Sequence, residues 1–317
     1  MVFLISSLDK KIGMGHFARC NYVSDAMQNR GIQVTHLSLI TEEELDQSYL
    51  LKIFGDTPCN NVLIFDLHDV HINEELKKIF FELKKNNNFL IGLDCLIELS
   101  ACLDYLWIPT LFIDQDVLKK IQCDYCYGLE SILLPKIQAK KHRSDRNNKF
   151  LTICSGASDV SFLGDWLIDA ILESNLKGIS KIIWIQGPYA NEPRFTSPKD
   201  ALMDIEIIKF PLSLISILQQ SDFILSVYGI TAFEALACRV PSLIFSPYGI
   251  KDNENLNALK DLGICDVSLD IKMLATDIKN FIENSKLHLD IRYNLEKIDF
   301  STGLNQFVEL VSTKLKQ

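Results

Sequence analysis

Residues 2–31 read VFLISSLDKKIGMGHFARCNYVSDAMQNRG, and the fold turns on how they divide. Val2–Ser6 is a short apolar run, the pattern of a strand buried on both faces. From His16 the period changes. Apolar residues recur at Phe17, Cys20, Val23 and Met27, one face of a helix over 16–30, and Gly31 follows as a stop signal. Between strand and helix, Gly13-Met14-Gly15-His16-Phe17-Ala18 satisfies G-x-G-x-x-G/A, the dinucleotide fingerprint. In that fingerprint the glycines follow the strand almost at once. Here the loop SLDKKIG intervenes, and Leu39-Ile40-Thr41 stand where an acidic residue is expected. The segment therefore reads against a dinucleotide. It reads instead as a turn at Gly13 and Gly15 that lets backbone approach a ligand, with His16 in the first helical turn. The positive end of the helix favours an uncharged ring, and a neutral imidazole beside a cleft is a candidate general base. The plainer alternative is that His16 caps the helix.

Working outward, the alternation continues. Strands are expected at Gln33–Leu39, Asn61–Asp66, Phe89–Asp94 and Tyr105–Ile108, with helices at Thr41–Ile53 and Asn73–Asn86. The polar stretch AKKHRSDRNNK, Ala139–Lys149, has no periodicity and reads as a linker. Beyond it strands are expected at Phe150–Ser155, Lys181–Gln186, Asp204–Lys209, Phe223–Ser226 and Ser242–Ser246. Helices are expected at Val160–Asn175, Ser213–Gln220, Thr231–Cys238, Asn253–Gly263 and Ile271–Ser285. The fold class is thus α/β: two Rossmann-like domains, 1–139 and 150–317, joined at 140–149 and facing a cleft. The last helix, Gly303–Leu315, suits either domain.

Composition narrows the partners. The chain has 317 residues and a formal net charge of -9, which argues against a nucleic-acid backbone as partner. No apolar run is long enough for a membrane span, and MVFLIS lacks the features of a secretory signal. The nine cysteines are scattered, many of them in apolar segments such as Cys95, Cys102, Cys154 and Cys238. That is the usage of reduced thiols in a cytoplasmic protein. Cys123-x-x-Cys126 lacks the second pair that a zinc site needs.

Candidate chemistry lies in the loops after strands. FDLHDVH places Asp66, His68, Asp69 and His71 together; the sequence offers no fixed metal geometry, and Asp69 or Asn73 can start the next helix. Ser155-Gly156-Ala157-Ser158 ends a strand and leads into a helix, whose free backbone N–H groups form a phosphate site. In SVYGITAFEALACRVPSL, Gly229 makes a turn and Thr231-x-x-Glu234 matches a capping box. Glu234 either serves that box or accepts hydrogen bonds from a ligand's hydroxyls. Asn253, Glu254 and Asn257 open the next helix, placed to bond hydroxyls or to cap it.

These segments together resemble a known family. IGMGHFARC is similar to the I-G-x-G-H-x-x-R-C segment of the nucleotide-sugar hydrolases of pseudaminic acid synthesis and their spore-coat polysaccharide relatives. Those in turn resemble the undecaprenyl-linked N-acetylglucosaminyltransferase of peptidoglycan synthesis. LIFDLHDV, ICSGASD, SVYGITAFEALACRVPSL and DNENLNAL lie where the family has its later motifs.

The resemblance implies the glycosyltransferase-B architecture and inverting, metal-free, cofactor-free cleavage of a UDP-linked diacetamido-trideoxyhexose by water. It implies His16 as general base. It implies substrate contacts from Gly13, Gly15, Arg19, His68, Gly156, Ala157, Tyr228, Gly229, Ile230, Thr231, Glu234, Asn253, Glu254 and Asn257. The family's opening R-x-D-x-S is replaced here by Ile5, Ser7 and Asp9, and its sugar-facing tyrosine by His68. With that altered lining, an inverting glycosyltransferase acting on a glycan or lipid acceptor is the alternative. Such a transferase would make peripheral contact with a membrane.

Overall fold

A computed structural model describes residues 1–8, 15–40, 59–68, 72–94, 96–139, 149–174, 176–196, 203–211 and 213–316. Gly13, Asp69, His71, Cys95 and the helix expected at Thr41–Ile53 lie outside the described residues, as does 140–148 of the expected linker. The chain divides into two compact units. One comprises Met1–Asp9, Met14–Pro135 and Phe300–Gln317, and the other is built on Lys136–Asp299.

The first unit contains β1 (Val2–Leu8), α1 (Gly15–Asn29), β2 (Val34–Ile40), β3 (Val62–Asp66), α2 (Glu74–Lys85), β4 (Phe89–Leu93), β5 (Tyr105–Ile108), α3 (Gln115–Leu118) and β6 (Asp124–Tyr127). The strands form one parallel sheet in the order β2-β1-β3-β4-β5-β6. All five residues of β3 are buried, as a strand covered by helices on both faces requires. The helix α2 shows its signals plainly. The Asn73 side chain accepts from the Leu76 N–H at 2.8 Å, acidic residues fill the first turn and lysines the last. Between β1 and β3 the strand order reverses, and Ser6 stands level with Asp66 at that point.

The second unit contains β7 (Lys149–Cys154), α4 (Leu167–Glu173), β8 (Ile179–Gln186), β9 (Asp204–Lys209), α5 (Leu214–Leu218), β10 (Phe223–Val227), α6 (Ile230–Ala237), β11 (Ser242–Phe245), α7 (Asn253–Asp261), β12 (Asp266–Ser268), α8 (Leu274–Glu283) and α9 (Ser285–Leu295). Its parallel order, β12-β11-β10-β7-β8-β9, is the doubly wound arrangement. The reversal falls between β7 and β10. In both units, then, the place where such sheets bind ligands is set by topology.

The final helix α10 (Thr302–Lys314) belongs to the first unit. Leu304, Phe307, Val308 and Val311 join a core with Val2, Leu4, Val23, Met27 and Trp107. Gly303 lets it approach: a Cβ there would collide with the carbonyls of Glu130 and Ile132.

One expected helix needs correction, and some observed elements were not expected. The helix expected at Val160–Asn175 begins only at Leu167. Asp159 and Phe162 adopt left-handed φ of 45° and 52°, which no helix can run through. The Asp159 carboxylate instead accepts from the amides of Leu163 and Gly164 at 3.0 and 2.8 Å. The strands β6 and β12 carried no apolar run; they are short and lie at sheet edges. The helix α9 buries only His288, Ile291 and Leu295, too narrow a stripe to announce itself. Among the described residues, no helix is long and apolar enough to cross a membrane.

Candidate active site

At the reversal point of the first unit, Asp66 ends β3 with its side chain wholly buried. The helix α1 starts beside it. His16, Arg19 and Cys20 stand at i, i+3 and i+4, one face of that helix, and all three reach the same carboxylate. His16 Nδ1 lies 2.5 Å from Asp66 Oδ1. Arg19 Nε donates to Oδ2 at 2.7 Å and its Nη2 to Oδ1 at 2.7 Å. The Cys20 thiol donates to Oδ2 at 3.3 Å. Arg19 Nη2 also donates to Asp94 Oδ2 at 2.9 Å. The spacing H-x-x-R-C therefore has a physical reason: it surrounds one buried carboxylate with donors.

The charges follow from this packing. Burial alone would push Asp66 up, but Arg19 and then His16 outweigh it and hold the carboxyl well below its usual range. Burial works against the charge on Arg19, yet Asp66 and Asp94 more than compensate, and the guanidinium stays protonated. An ionised Asp66 can only accept. Arg19 Nη2 also stands 3.0 Å from His16 Nδ1, but its two hydrogens go to the nearer carboxylate oxygens of Asp66 and Asp94 at 2.7 and 2.9 Å. In the neutral ring the hydrogen at the His16–Asp66 contact is therefore on Nδ1, and Nε2 carries the lone pair. The His16 side chain is 13% exposed, so that lone pair is within reach of a ligand.

Around this centre, the His68 ring lies edge-on to His16 with centroids 6.0 Å apart, and its backbone N–H donates to Ser7 Oγ at 3.1 Å. Among the described residues, a Cβ at Gly15 would meet nothing within 4 Å. Sequence reasoning missed His36 and Asp94. His36 on β2 lies 2.9 Å from Ser6 Oγ and stacks on Phe17; burial pushes its basicity down. Its signal was only a histidine in an apolar strand. Asp94 carried no signal, because its partner Arg19 is 75 residues away in the chain. Among the described residues no group of three or more His, Cys, Asp or Glu side chains is placed to hold a metal ion.

In the second unit, β7 ends in Ser155-Gly156-Ala157. Gly156 has φ of +90°. The turn is braced from behind: the Tyr189 amide donates to the Ala157 carbonyl at 2.9 Å, and a Cβ at Gly187 would collide with the carbonyl oxygens of Gly156 and Ala157. No helix begins directly after this turn, contrary to expectation, because the left-handed residues Asp159 and Phe162 intervene. Among the described residues, the buried Ser155 Oγ has no hydrogen-bond partner.

The turn after β10 is Tyr228-Gly229, and the Tyr228 amide donates to the Phe245 carbonyl at 2.7 Å. Gly229, with φ of +142°, is the N-cap of α6 and, as glycine, brings no side chain to cap it. Thr231 therefore sits inside the first turn with Ile230 and is not the cap. The expected capping box is out of register, since its glutamate belongs three positions after the cap and Glu234 stands further along. Glu234 is 5% exposed. The Cys154 and Cys238 thiols beside it are pushed up, first by burial and then by its charge.

At α7 the cap is Asp252, whose carboxylate accepts from Ser246 Oγ at 2.5 Å. Asn253 opens the helix proper, so it does not cap it; its Oδ1 is buried with no partner among the described residues. Glu254 is exposed and Asn257 half-buried. Cys123 and Cys126 are free thiols pushed by burial up to about 11 and 12, the state of inert packing residues.

No protein-family model and no curated protein matches the chain. Solved structures do match it over its whole length. Arabidopsis thaliana UGT89C1 complexed with UDP superposes with a TM-score of 0.62 at 12% identity, covering 98% of this chain and 99% of that one. Acinetobacter baumannii MurG gives 0.60 at 13% identity, covering 98% and 99%. The calicheamicin glycosyltransferase CalG4 gives 0.58 at 10% identity, covering 100% and 98%. The fold is that of the glycosyltransferase-B enzymes. At these identities the likeness extends to the fold, and chemistry has to be argued from the residues.

Proposed function

We propose that this chain is an inverting nucleotide-sugar hydrolase that uses His16 as general base, with Asp66 orienting the ring. One observation carries the proposal: a partly exposed histidine holds its Nδ1 against a buried, ionised carboxylate, which leaves Nε2 as a proton acceptor. Water attacks the anomeric carbon, and its oxygen bonds to that carbon as the bond to the diphosphate oxygen breaks. The electron pair departs with the nucleoside diphosphate, and the water proton passes to Nε2. Attack opposite to the leaving group inverts the centre.

The nucleotide falls to the second unit. The amides of Gly156, Ala157, Ile230 and Thr231 suit a diphosphate, with Tyr228 and Gly229 shaping the second turn. Glu234 and Asn253 suit ribose hydroxyls, with Glu254 and Asn257 nearby. In the first unit, Gly15 gives backbone access and His68 faces the sugar; Gly13 is assigned to the same loop. The family resemblance supports UDP as the carrier and a diacetamido-trideoxyhexose as the sugar, and UGT89C1 is a structural neighbour seen with UDP. A glycosyltransferase is the second reading, favoured because CalG4 and the spinosyn forosaminyltransferase SpnP share the fold.

A panel of UDP-sugars incubated without acceptor, with products weighed by mass spectrometry, tests the proposal. The expected result is free sugar and UDP in equal amounts, and a loss of about 100-fold or more in His16→Ala. Turnover only after a glycan or lipid acceptor is added would replace the hydrolase with the transferase.

A further inference from the structure

The H-x-x-R-C segment carries an arginine whose guanidinium is spent on two carboxylates. The Arg19 side chain is 10% exposed, and it grips both oxygens of Asp66 while its Nη2 reaches on to Asp94. We propose that Arg19, anchored by Asp94, is a positioning residue that holds the Asp66 carboxylate as a pure acceptor against His16 Nδ1.

The argument is electrostatic. A carboxylate taken wholly out of water and left alone keeps its proton, because an unpaired buried charge is strongly disfavoured. A protonated Asp66 would be a donor. It would give its hydrogen to His16 Nδ1, the ring hydrogen would sit on Nε2, and the atom needed as base would be occupied. Arg19 prevents this in two ways. Its charge favours the ionised carboxylate, and its two-pronged grip fixes the carboxylate plane so that Oδ1 faces the ring. Cys20 adds a third donor to Oδ2, and His68 is the other ring beside His16.

Asp94 supplies the second half. It follows β4 directly and adopts a left-handed φ of +61°, a region disfavoured for residues other than glycine. Aspartate is among the side chains that tolerate that region. The backbone is held there by its N–H, which donates to the Trp107 carbonyl at 2.9 Å. Strained residues of this kind gather at functional sites. Here the carboxylate, 34% exposed, closes the outer side of the guanidinium. Without it, Arg19 keeps its two bonds to Asp66 but loses the anion on its outer side.

This inference rests on His16 being the base, but its readout is the ring itself. Nitrogen-15 spectra of ring-labelled protein at about pH 8, above the ordinary histidine range, distinguish the two tautomers. The wild type is expected to carry hydrogen on His16 Nδ1. Arg19→Met is expected to lose that signature, and Arg19→Lys to keep part of it. Asp94→Asn suits the same left-handed backbone, and it is expected to mix the tautomers and lower turnover of a UDP-sugar about 10-fold at unchanged KM. If Arg19→Met fails to fold, Asp94→Asn decides.

A folded variant with the wild-type tautomer and wild-type turnover would overturn the proposal, as would hydrogen on Nε2 in the wild type. A chain that shows the tautomer shift but cleaves no nucleotide sugar would sink the hydrolase and leave this inference standing.

Discussion

At the scale of single residues, the molecule sets two histidine environments against each other, one partly exposed and one buried. His16 has a carboxylate beside it. His288, 4% exposed, is packed against Phe223 and Phe281 with ring centroids 4.6 and 5.0 Å away, and its Nε2 meets the Phe281 carbonyl at 2.7 Å. Burial is the first cause that lowers His288 from its ordinary 6.5 to about 4. The unfolded chain then binds the proton that the fold refuses between those two values. Stability is full above about 6.5 and falls as pH drops toward 4. His288→Gln keeps a donor but does not titrate, so its urea midpoint should fall less than that of the wild type between pH 7 and pH 4.5. His36 is shifted the same way, so the slope should shrink rather than vanish. An unchanged slope would remove His288 from the account.

At the scale of elements, the candidate nucleotide turns depend on what stands behind them. Gly187 ends β8 against the Gly156-Ala157 turn. Gly187→Ala would drive a methyl into two backbone carbonyls and must shift the turn. The variant should lose the rise in melting temperature that UDP gives the wild type, while far-UV dichroism stays native-like; an undiminished UDP response would separate the turn from nucleotide binding. The last helix is tested separately. Phe307 is fully buried and meets Trp107 edge-to-face at 5.1 Å. Phe307→Ala should cost roughly 3–5 kcal/mol, read from urea unfolding. A loss near zero would mean that α10 is not part of the first unit's core.

At the scale of the whole molecule, charge and ligand linkage make one prediction. A ligand that binds only the folded state stabilises it by mass action, about 2.7 kcal/mol at roughly 100 times its dissociation constant. UDP should therefore raise the melting temperature of the full chain. Duplex DNA should not, because a chain with net charge -9 gains nothing from displacing counterions. The reverse result would overturn the nucleotide-sugar assignment.

The α/β alternation, the division into two Rossmann-like units and the glycine turns were legible along the chain because they are local. Apolar periodicity and turn chemistry act over a few residues, and each strand from β1 to β5 lies within a residue or two of its expected place. His16 was legible for the same reason, as a histidine among glycines at a helix start. Its partners were not. Asp66 stood in a crowded strand-end loop with no sign that it would turn inward. Asp94 meets Arg19 only because β3 and β4 lie side by side in the sheet. Glu234 matched a capping box until the register of α6 placed the cap at Gly229. The sequence determined which segments become strands, turns and helices, since those choices are settled by near neighbours. Which carboxylate meets the histidine, and in what charge state, was left to tertiary packing, because burial and distance between remote residues have no local signature.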